Sequence, residues 1–518
     1  MAKKATKTAK AAKKTKAAAA ETEATAASKV KGKVAKAKKV KATGKPSSGG
    51  AAKNAPSPTA SALANVYRSA LTKVDKEAGV SSGTGTQITP IHTGSLMQDF
   101  ICGGGARPGL FVAQGMEASG KSTSCVHMTE QAARYNIPLR TYLDPEGAVG
   151  PDFVQHVITS SDPGSLFGEA VSYYQDNVIE DVCTHVAGIV DLFPEKDYIG
   201  ELNSWVYKVP RGKDPAAVAM LDRLKQAGLK PDEKFSKGLD SLIIPTDYAG
   251  PEAFIALDSW ASLVPRKAKE NAKTKDLTGG DALAARVFGQ YVPLFGGELK
   301  KRGVVMWTTN QLRTNPRQMF GDPLYAKSDG TLKFYYTCTN RMMPRAVPAG
   351  QSKDKETGAL GSEPSVYGGI DRYAYKGVSN LKNKWGRPFL KGMLRIWVSD
   401  HAGHMRGIDP VWDTMEYLRM TGQQDGGNKK LKFMPRPSAP AGLKALAEKP
   451  VEYMDFKRLI LAEHTGDKEL LSTVLKKLKL SSPPKLREGL VTQMRKDDTL
   501  WAGSGRVESE QQEADDDE

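Results

Sequence analysis

Residues Gly115 to Ser122 read G-M-E-A-S-G-K-S, a complete Gly-x-x-x-x-Gly-Lys-Ser phosphate loop. The run Leu110-Phe-Val-Ala-Gln before it is apolar enough for a buried strand, and Ser122 to Tyr135 after it is free of Pro and Gly. Strand, loop and helix are therefore predicted in that order, the context in which the pattern has a mechanism. Glycines let the backbone wrap a phosphate, and successive N–H groups at a helix N-terminus supply positive potential. The motif gathers Gly115, Glu117, Ser119, Gly120, Lys121, Ser122 and Thr123 around a nucleoside triphosphate. Lys121 would reach the β and γ phosphates, and the Ser122 hydroxyl would hold Mg²⁺.

Outward from the loop, R-T-Y-L-D-P-E-G (140–147) predicts a second strand ending in acids. Glu252-Ala-Phe-Ile-Ala-Leu-Asp-Ser259 predicts a third, and Gly303-Val-Val-Met-Trp-Thr-Thr-Asn310 a fourth, behind a helical segment around Ala282 to Lys300. Strands alternating with helices imply an α/β fold with a mostly parallel sheet covered by helices. Hydrolysis of a triphosphate needs a carboxylate for the metal shell, a group that activates water and a sensor of the γ-phosphate. Asp258 ends the apolar run F-I-A-L and suits the metal. Glu146, just past T-Y-L-D, could polarise the attacking water, and Gln311, after V-V-M-W-T-T-N, could bond the γ-phosphate.

The net charge of +17 is unevenly spread. Sixteen lysines against Glu21 and Glu23 put +14 of it in residues 1–54, while Glu508 to Glu518 holds seven acids and no base. The lysine-rich segment has almost no large apolar side chains, so it cannot bury enough surface to offset ordering entropy and is expected to be disordered. It reads either as a polycation that touches nucleic-acid phosphates in a salt-sensitive way or as a solubilising tail. No run approaches the ~18 apolar residues of a membrane helix, so no membrane partner is expected. Cys102, Cys125, Cys183 and Cys338 show no paired spacing, which suggests neither a disulfide framework nor a zinc site and fits a reducing cytosol.

The expected organisation follows from these shifts. Residues 1–57 form the basic tail. Residues 58–87 hold a short helix with apolar spacing at Leu63, Val66, Ala70, Leu71 and Val74. Residues 88–425 form the ATPase core, interrupted by insertions at about 162–248, with a helix at Ala216 to Ala227, and 348–367, a polar, Gly-rich flexible loop. Residues 426–507 form a small helical domain, with Asp455 and Asp467 as N-caps, Gly466 as a stop and an apolar stripe at Leu471, Val474, Leu475 and Leu478 that reads as core. Residues 508–518 are an acidic tail, either simply solvated or an intramolecular competitor for a basic groove. His401 and His404 in D-H-A-G-H read as a loop pair without metal.

Eight segments in order carry a resemblance: I-H-T-G-S-L (91–96), G-M-E-A-S-G-K-S-T (115–123), L-D-P-E-G-A (143–148), A-L-D-S (256–259), L-A-A-R (283–286), N-Q-L-R (310–313), M-F-G-D-P (319–323) and L-K-F (332–334). The chain resembles the RecA recombinase family, as a divergent and phage-encoded form, over about Ser61 to Gly407. The phosphate loop alone fits many ATPases. N-Q-L-R followed by M-F-G-D-P and L-K-F is the more specific signal.

The resemblance implies a RecA-like core and an ATP- and Mg²⁺-dependent, DNA-dependent ATPase. It implies Glu146 as the catalytic carboxylate beside Lys121, Ser122 and Asp258 at Mg²⁺, and Gln311 as the switch between nucleotide and DNA. Lys382 and Lys384, from Lys382-Asn383-Lys384, would reach the γ-phosphate held by an adjacent protomer. Leu312 to Phe334 would be one DNA-binding loop and the region between Arg266 and Asp281 another. Arg286, Arg313, Arg317, Met319, Phe320, Gly330 and Lys333 would meet DNA. The family's paired glycines are Ser328-Asp329 here, with Gly330 shifted by one, and a DNA-contacting arginine falls at Pro293. Its adenine-site aspartate and tyrosine fall at Gly150 and Phe153, of which Phe153 can still stack.

The implied function is a recombinase that forms helical filaments on single-stranded DNA and promotes pairing and strand exchange with duplex DNA in recombination and repair. Its partners would be single- and double-stranded DNA, further copies of itself, and single-stranded-DNA-binding and loader proteins, in the bacterial host cytoplasm or nucleoid. Two alternatives use the same ATPase core: a ring helicase, and a DNA-coating protein that uses ATP only to regulate assembly.

Overall fold

The computed structural model of the chain describes residues 88–150, 153–154, 157, 167, 170–273, 280–314, 323–326, 329–345, 352–353, 361–399, 407–425 and 429–496. The basic tail, the helix expected within 58–87, the acidic end 508–518 and the pair His401 and His404 lie outside them.

The chain enters through α1 (Leu96–Cys102), capped at its start by the Ser95 side chain, which accepts from the Gln98 N–H, and at its end by Gly103 at φ 85°. Next come β1 (Gly109–Gly115), α2 (Lys121–Arg134), β2 (Leu139–Leu143), β3 (Ser172–Tyr174) and α3 (Ile179–Asp191). A separate antiparallel sheet follows, β4 (Glu195–Ile199), β5 (Ser204–Pro210) and β6 (Ser241–Thr246), with α4 (Pro215–Gln226) between its last two strands. The core resumes with β7 (Ala253–Leu257), α5 (Arg266–Lys273), α6 (Gly280–Gly296), α7 (Glu298–Lys301), β8 (Val304–Thr314), β9 (Leu324–Ala326), α8 (Asp329–Leu332) and β10 (Tyr336–Arg345). Then come β11 (Ser352–Lys353), β12 (Gly361–Pro364), β13 (Ile370–Asn383), β14 (Lys391–Ser399) and α9 (Pro410–Met420). The C-terminal part holds β15 (Gln424–Asp425), β16 (Lys430–Phe433), α10 (Ala441–Leu446), β17 (Val451–Glu452), α11 (Tyr453–Thr465), α12 (Lys468–Leu478) and α13 (Leu486–Lys496).

The main sheet runs β11-β12-β13-β10-β1-β8-β7-β2-β3, with β14 on β13 and β9 on β8. Strands β10, β1, β8, β7, β2 and β3 are mutually parallel, and the remaining pairings are antiparallel. Because both faces are covered, successive residues of one strand enter different cores. Along β1, Phe111 and Ala113 join one apolar cluster with Tyr142, Phe254 and Trp307, whereas Leu110 and Val112 join another with Ile255, Val304 and Met306. Phe111 stacks on Trp307 with ring centroids 3.5 Å apart. The unbroken apolar runs of β1, β7 and β8 follow from this two-sided burial.

Two expectations about the core change. The stretch read as an insertion from about 162 supplies β3 to the main sheet, and α3 packs its Val182, Val186 and Val190 beneath it. The added sheet spans only Glu195–Thr246 and is anchored by buried Lys196, which donates to Glu252 Oε1 at 2.5 Å and to the Gly250 carbonyl at 2.7 Å. The stretch 348–367, expected as a loop, carries edge strands β11 and β12. Its polarity has a structural cause, since Glu363 accepts from Arg395 at 2.8 Å and from Lys457 at 3.0 Å. Lys457 also donates to Asp371 at 3.0 Å, and Arg395 to Asp409 at 2.6 Å, so five charges tie β12, β13 and β14 to α11.

In the C-terminal part, Asp467 caps α12 by accepting from the Leu470 N–H at 2.9 Å, and Gly466 ends α11 at φ 74°. Asp455 is not an N-cap, because α11 begins at Tyr453 and places it in the first turn, buried and paired with Lys477 at 2.7 Å and Arg458 at 3.1 Å. Val474 is buried, and Leu471, Leu475 and Leu478 pack on the main apolar cluster. Strands β15, β16 and β17 add a small antiparallel sheet to helices that were expected alone. Among the described residues no helix is long and apolar enough to cross a membrane.

Candidate functional site

The phosphate loop bridges the end of β1 and the start of α2. Gly115 pairs with Gln311 of β8 on one side and Met342 of β10 on the other, which fixes the base of the loop and places the expected γ-phosphate sensor beside it. Ala118 has φ 54° and Gly120 φ 89°. The left-handed backbone at Gly120 favours glycine there, and an added Cβ would press on Ile396 Cδ1 at 2.7 Å. Lys121 folds back over the loop and donates to the Met116 carbonyl at 2.7 Å. Burial holds its ammonium below the ordinary pKa, while Asp258, Glu146 and Glu117 act the other way.

The acids converge because β2, β7 and β8 run parallel to β1 and end at the same edge of the sheet. Asp258 follows β7 directly and lies beside the Ser122 hydroxyl. Thr309 and, at 3.4 Å, the Tyr142 phenol donate to it. Burial raises the Asp258 pKa above the ordinary carboxylate value, and the hydrogen bond from Thr309 and the nearby Ser122 hydroxyl oppose that shift. Glu146 stands exposed on the turn after β2 and accepts from the Ser259 hydroxyl at 3.0 Å. That turn is held by buried Asp144, which accepts from the Tyr173 phenol at 2.6 Å and the Val149 N–H at 2.9 Å.

These residues fit a polyphosphate and a magnesium ion. The Ser119 hydroxyl is buried in the loop with no hydrogen-bond partner. Among the described residues no group of three or more His, Cys, Asp or Glu could form a protein-only metal cage. One hydroxyl and one carboxylate beside a phosphate loop is the sparse donor set that suits Mg²⁺, which keeps waters and takes phosphate oxygens.

The Lys-Asn-Lys motif is elsewhere. Lys382 pairs with Thr339, itself opposite Val112, and the Lys384 N–H donates to the Thr337 carbonyl, so both lysines lie toward the opposite end of β1 from the loop. Along the strands Lys382 is three residues from Gly115, about 10 Å, and Lys384 four to five residues, roughly 15 Å, at ~3.3 Å per residue. Asn383 pins the turn there, accepting from the Trp385 and Gly386 N–H groups at 2.8 and 3.0 Å. Lys384 is exposed, and Lys382 donates to the Lys333 carbonyl at 2.7 Å.

The positions expected to meet DNA fall into two places. Arg286 is exposed on α6, next to Ala285, whose carbonyl accepts from Thr331 of α8 at 3.4 Å; Gly330 and Lys333, which flank Thr331, are also exposed. Arg313 is exposed at the far end of β8, opposite Tyr325 of β9. Arg317, Met319 and Phe320 lie outside the described residues. Phe153 is half-buried and packs against the main apolar cluster. Thr309 and Ser259 went unnoticed in the sequence. Ser259 had a signal, being adjacent to Asp258, whereas Thr309 faces Asp258 only through the β7–β8 register.

No protein-family model matches the chain. It is 25% identical over 299 residues to Protein RecA of Thermotoga petrophila, a match covering 56% of this chain and 65% of that protein, so it spans just under two thirds of that relative's length. Over 362 residues it is 25% identical to Protein RecA of Thermotoga neapolitana, covering 66% and 79% of the two chains. Over 305 residues it is 26% identical to Protein RecA of Rubrobacter xylanophilus, covering 58% and 64%. The phosphate loop set on a mostly parallel, helix-covered sheet thus belongs to a chain similar, at about a quarter identity, to Protein RecA of these bacteria.

Proposed function

We propose that the chain is an ATP-dependent DNA recombinase that assembles as a filament on single-stranded DNA and promotes homologous pairing and strand exchange in recombination and repair. The observation that carries this reading is the convergence of Ser122, Asp258, Glu146 and Gln311 on one phosphate loop. ATP binds with its phosphates in the loop, and Lys121 leaves the Met116 carbonyl for the β and γ phosphates. Ser122 and Asp258 would hold Mg²⁺, which neutralises charge on the phosphate oxygens. Glu146, oriented by Ser259, positions and polarises the attacking water. Gln311 follows the γ-phosphate and carries its presence along β8 to Arg313 and the segment beyond.

Placement of Lys384 about 15 Å, and of Lys382 about 10 Å, along the strands from the loop of their own chain supports their use by a neighbouring subunit. An interface in which one end of the sheet meets the other end of the next copy is heterologous and propagates as an open helix. DNA would then lie against Arg286, Arg313 and Lys333, and the lysine-rich N-terminal segment would add salt-sensitive phosphate contacts. The test is a DNA-stimulated ATPase assay beside a strand-invasion assay. Both activities are expected to vanish in Lys121→Ala and Glu146→Ala, and hydrolysis surviving in both variants overturns the reading.

A further inference from the structure

Strand β13 delivers lysines to both ends of the sheet. Lys382 lies toward the end away from the phosphate loop, whereas Lys376 pairs with Pro344, two residues beyond the Met342 that flanks Gly115. The Lys376 ammonium donates to the Ala118 carbonyl of the loop at 2.6 Å. Its stem lies alongside Gly120, where an added Cβ would sit 3.7 Å from Lys376 Cγ. It therefore reaches the loop in the same chain, beside Ile396, on the face of β13 and β14 turned toward Gly120.

The two lysines over this loop differ in their surroundings. Lys121 has Asp258, Glu146 and Glu117 around it. Among the described residues no carboxylate forms an ion pair with Lys376, and burial alone lowers its pKa. A half-buried ammonium without a counter-charge, held on a carbonyl at the rim of an anion-binding loop, is compensated when an anion arrives.

We propose that Lys376 is a nucleotide-binding residue supplied in cis, whose ammonium exchanges the Ala118 carbonyl for oxygens of a nucleoside polyphosphate held in the loop. This rests on the reading of the loop as a nucleotide site. Lys376 then complements the distant Lys382 and Lys384, so that one strand serves its own loop at one end and a neighbour's at the other.

The full chain is titrated with a fluorescent ATP analogue and followed by anisotropy, in wild type, K376M, K376R and K121A. K376M is expected to bind about tenfold more weakly, the value of one charge-assisted hydrogen bond, and K376R to recover most of the loss. In the wild type, bound nucleotide is expected to slow acetylation of Lys376 severalfold, read by mass spectrometry, which a purely structural clamp on Ala118 would not do. This second measurement decides alone if K376M fails to fold. Unchanged affinity in K376M while K121A is defective, or an unchanged acetylation rate with nucleotide bound, overturns the inference and leaves the loop reading intact. Absence of nucleotide binding by the wild type overturns both.

Discussion

The Ser259 hydroxyl donates to Glu146 Oε1 at 3.0 Å, joining the end of β7 to the turn after β2. Its neighbour Asp258 lies beside Ser122 at the start of α2. Two consecutive residues thus set one carboxylate beside Ser122 and orient a second, which we propose acts on water, and the parallel β2–β7 pairing sets the spacing between them. An exposed glutamate has many rotamers, and a single fixed donor selects the one aimed at the loop.

Replacing Ser259 by alanine should therefore separate chemistry from binding. The expected outcome is a kcat for DNA-stimulated ATP hydrolysis reduced about tenfold, with nucleotide affinity unchanged. Steady-state kinetics beside an equilibrium titration measure the two. A kcat equal to wild type would show that Glu146 needs no orientation from Ser259.

Asp258 should be costly to the fold. Burial lifts its folded-state pKa above the unfolded value, so ionised Asp258 opposes folding at neutral pH, and this cost fades as pH falls through the folded pKa toward the unfolded one. Asp258→Asn is expected to raise Tm by about 1–3 °C near neutral pH while abolishing Mg²⁺-dependent hydrolysis. The difference in Tm should shrink toward about pH 4. Calorimetry at several pH values checks it, and a variant markedly less stable at every pH would mean that the bonds from Thr309 and Tyr142 outweigh the burial of charge.

What could be read directly from the sequence follows from the physics of each signal. The phosphate loop is a spacing motif, and β1, β7 and β8 are buried on both faces, so they appear as apolar runs. Hydroxyls such as Thr309 carry no such signal, because their partner is fixed by strand register across 51 positions. Lys376 carries none either, being one lysine on a half-buried strand inside the sheet. Strand β12 reads as loop in the sequence because Glu363 is polar, and its burial depends on Arg395 and Lys457 from distant segments. Asp455 had the residue type of a cap, but α11 starts two residues earlier, at Tyr453.

That buried ionic cluster makes a stability prediction. Burial pushes the Glu363 carboxyl up, but Arg395 and then Lys457 outweigh this and hold it at about 2. A depressed folded-state pKa means stability that is present above the ordinary glutamate range and is lost as pH falls toward 2. Lys457→Met leaves Asp371 and Glu363 short of a counter-charge and is expected to cost about 3–5 kcal/mol in urea unfolding at neutral pH. The deficit should narrow between about pH 4.5 and 2, as the carboxylates protonate in both proteins. A deficit constant across that range would place the loss in packing rather than charge.

The last prediction concerns the sheet's two ends. Lys384 and the phosphate loop sit about 15 Å apart in one chain, so a site needing both must take them from different copies. A Lys121→Ala subunit lacks the loop lysine but still offers Lys382 and Lys384 to a neighbour, and a Lys384→Ala subunit has the reverse defect. Each alone should hydrolyse little ATP on single-stranded DNA. Mixed in equal amounts, they should form productive junctions wherever an intact loop meets intact lysines, roughly one interface in four for random heterologous assembly. Recovery to about a quarter of wild-type hydrolysis, lost on dilution below the assembly concentration, is the expected result. No recovery in filaments seen to contain both variants would show that these lysines do not complete the site from a neighbouring subunit.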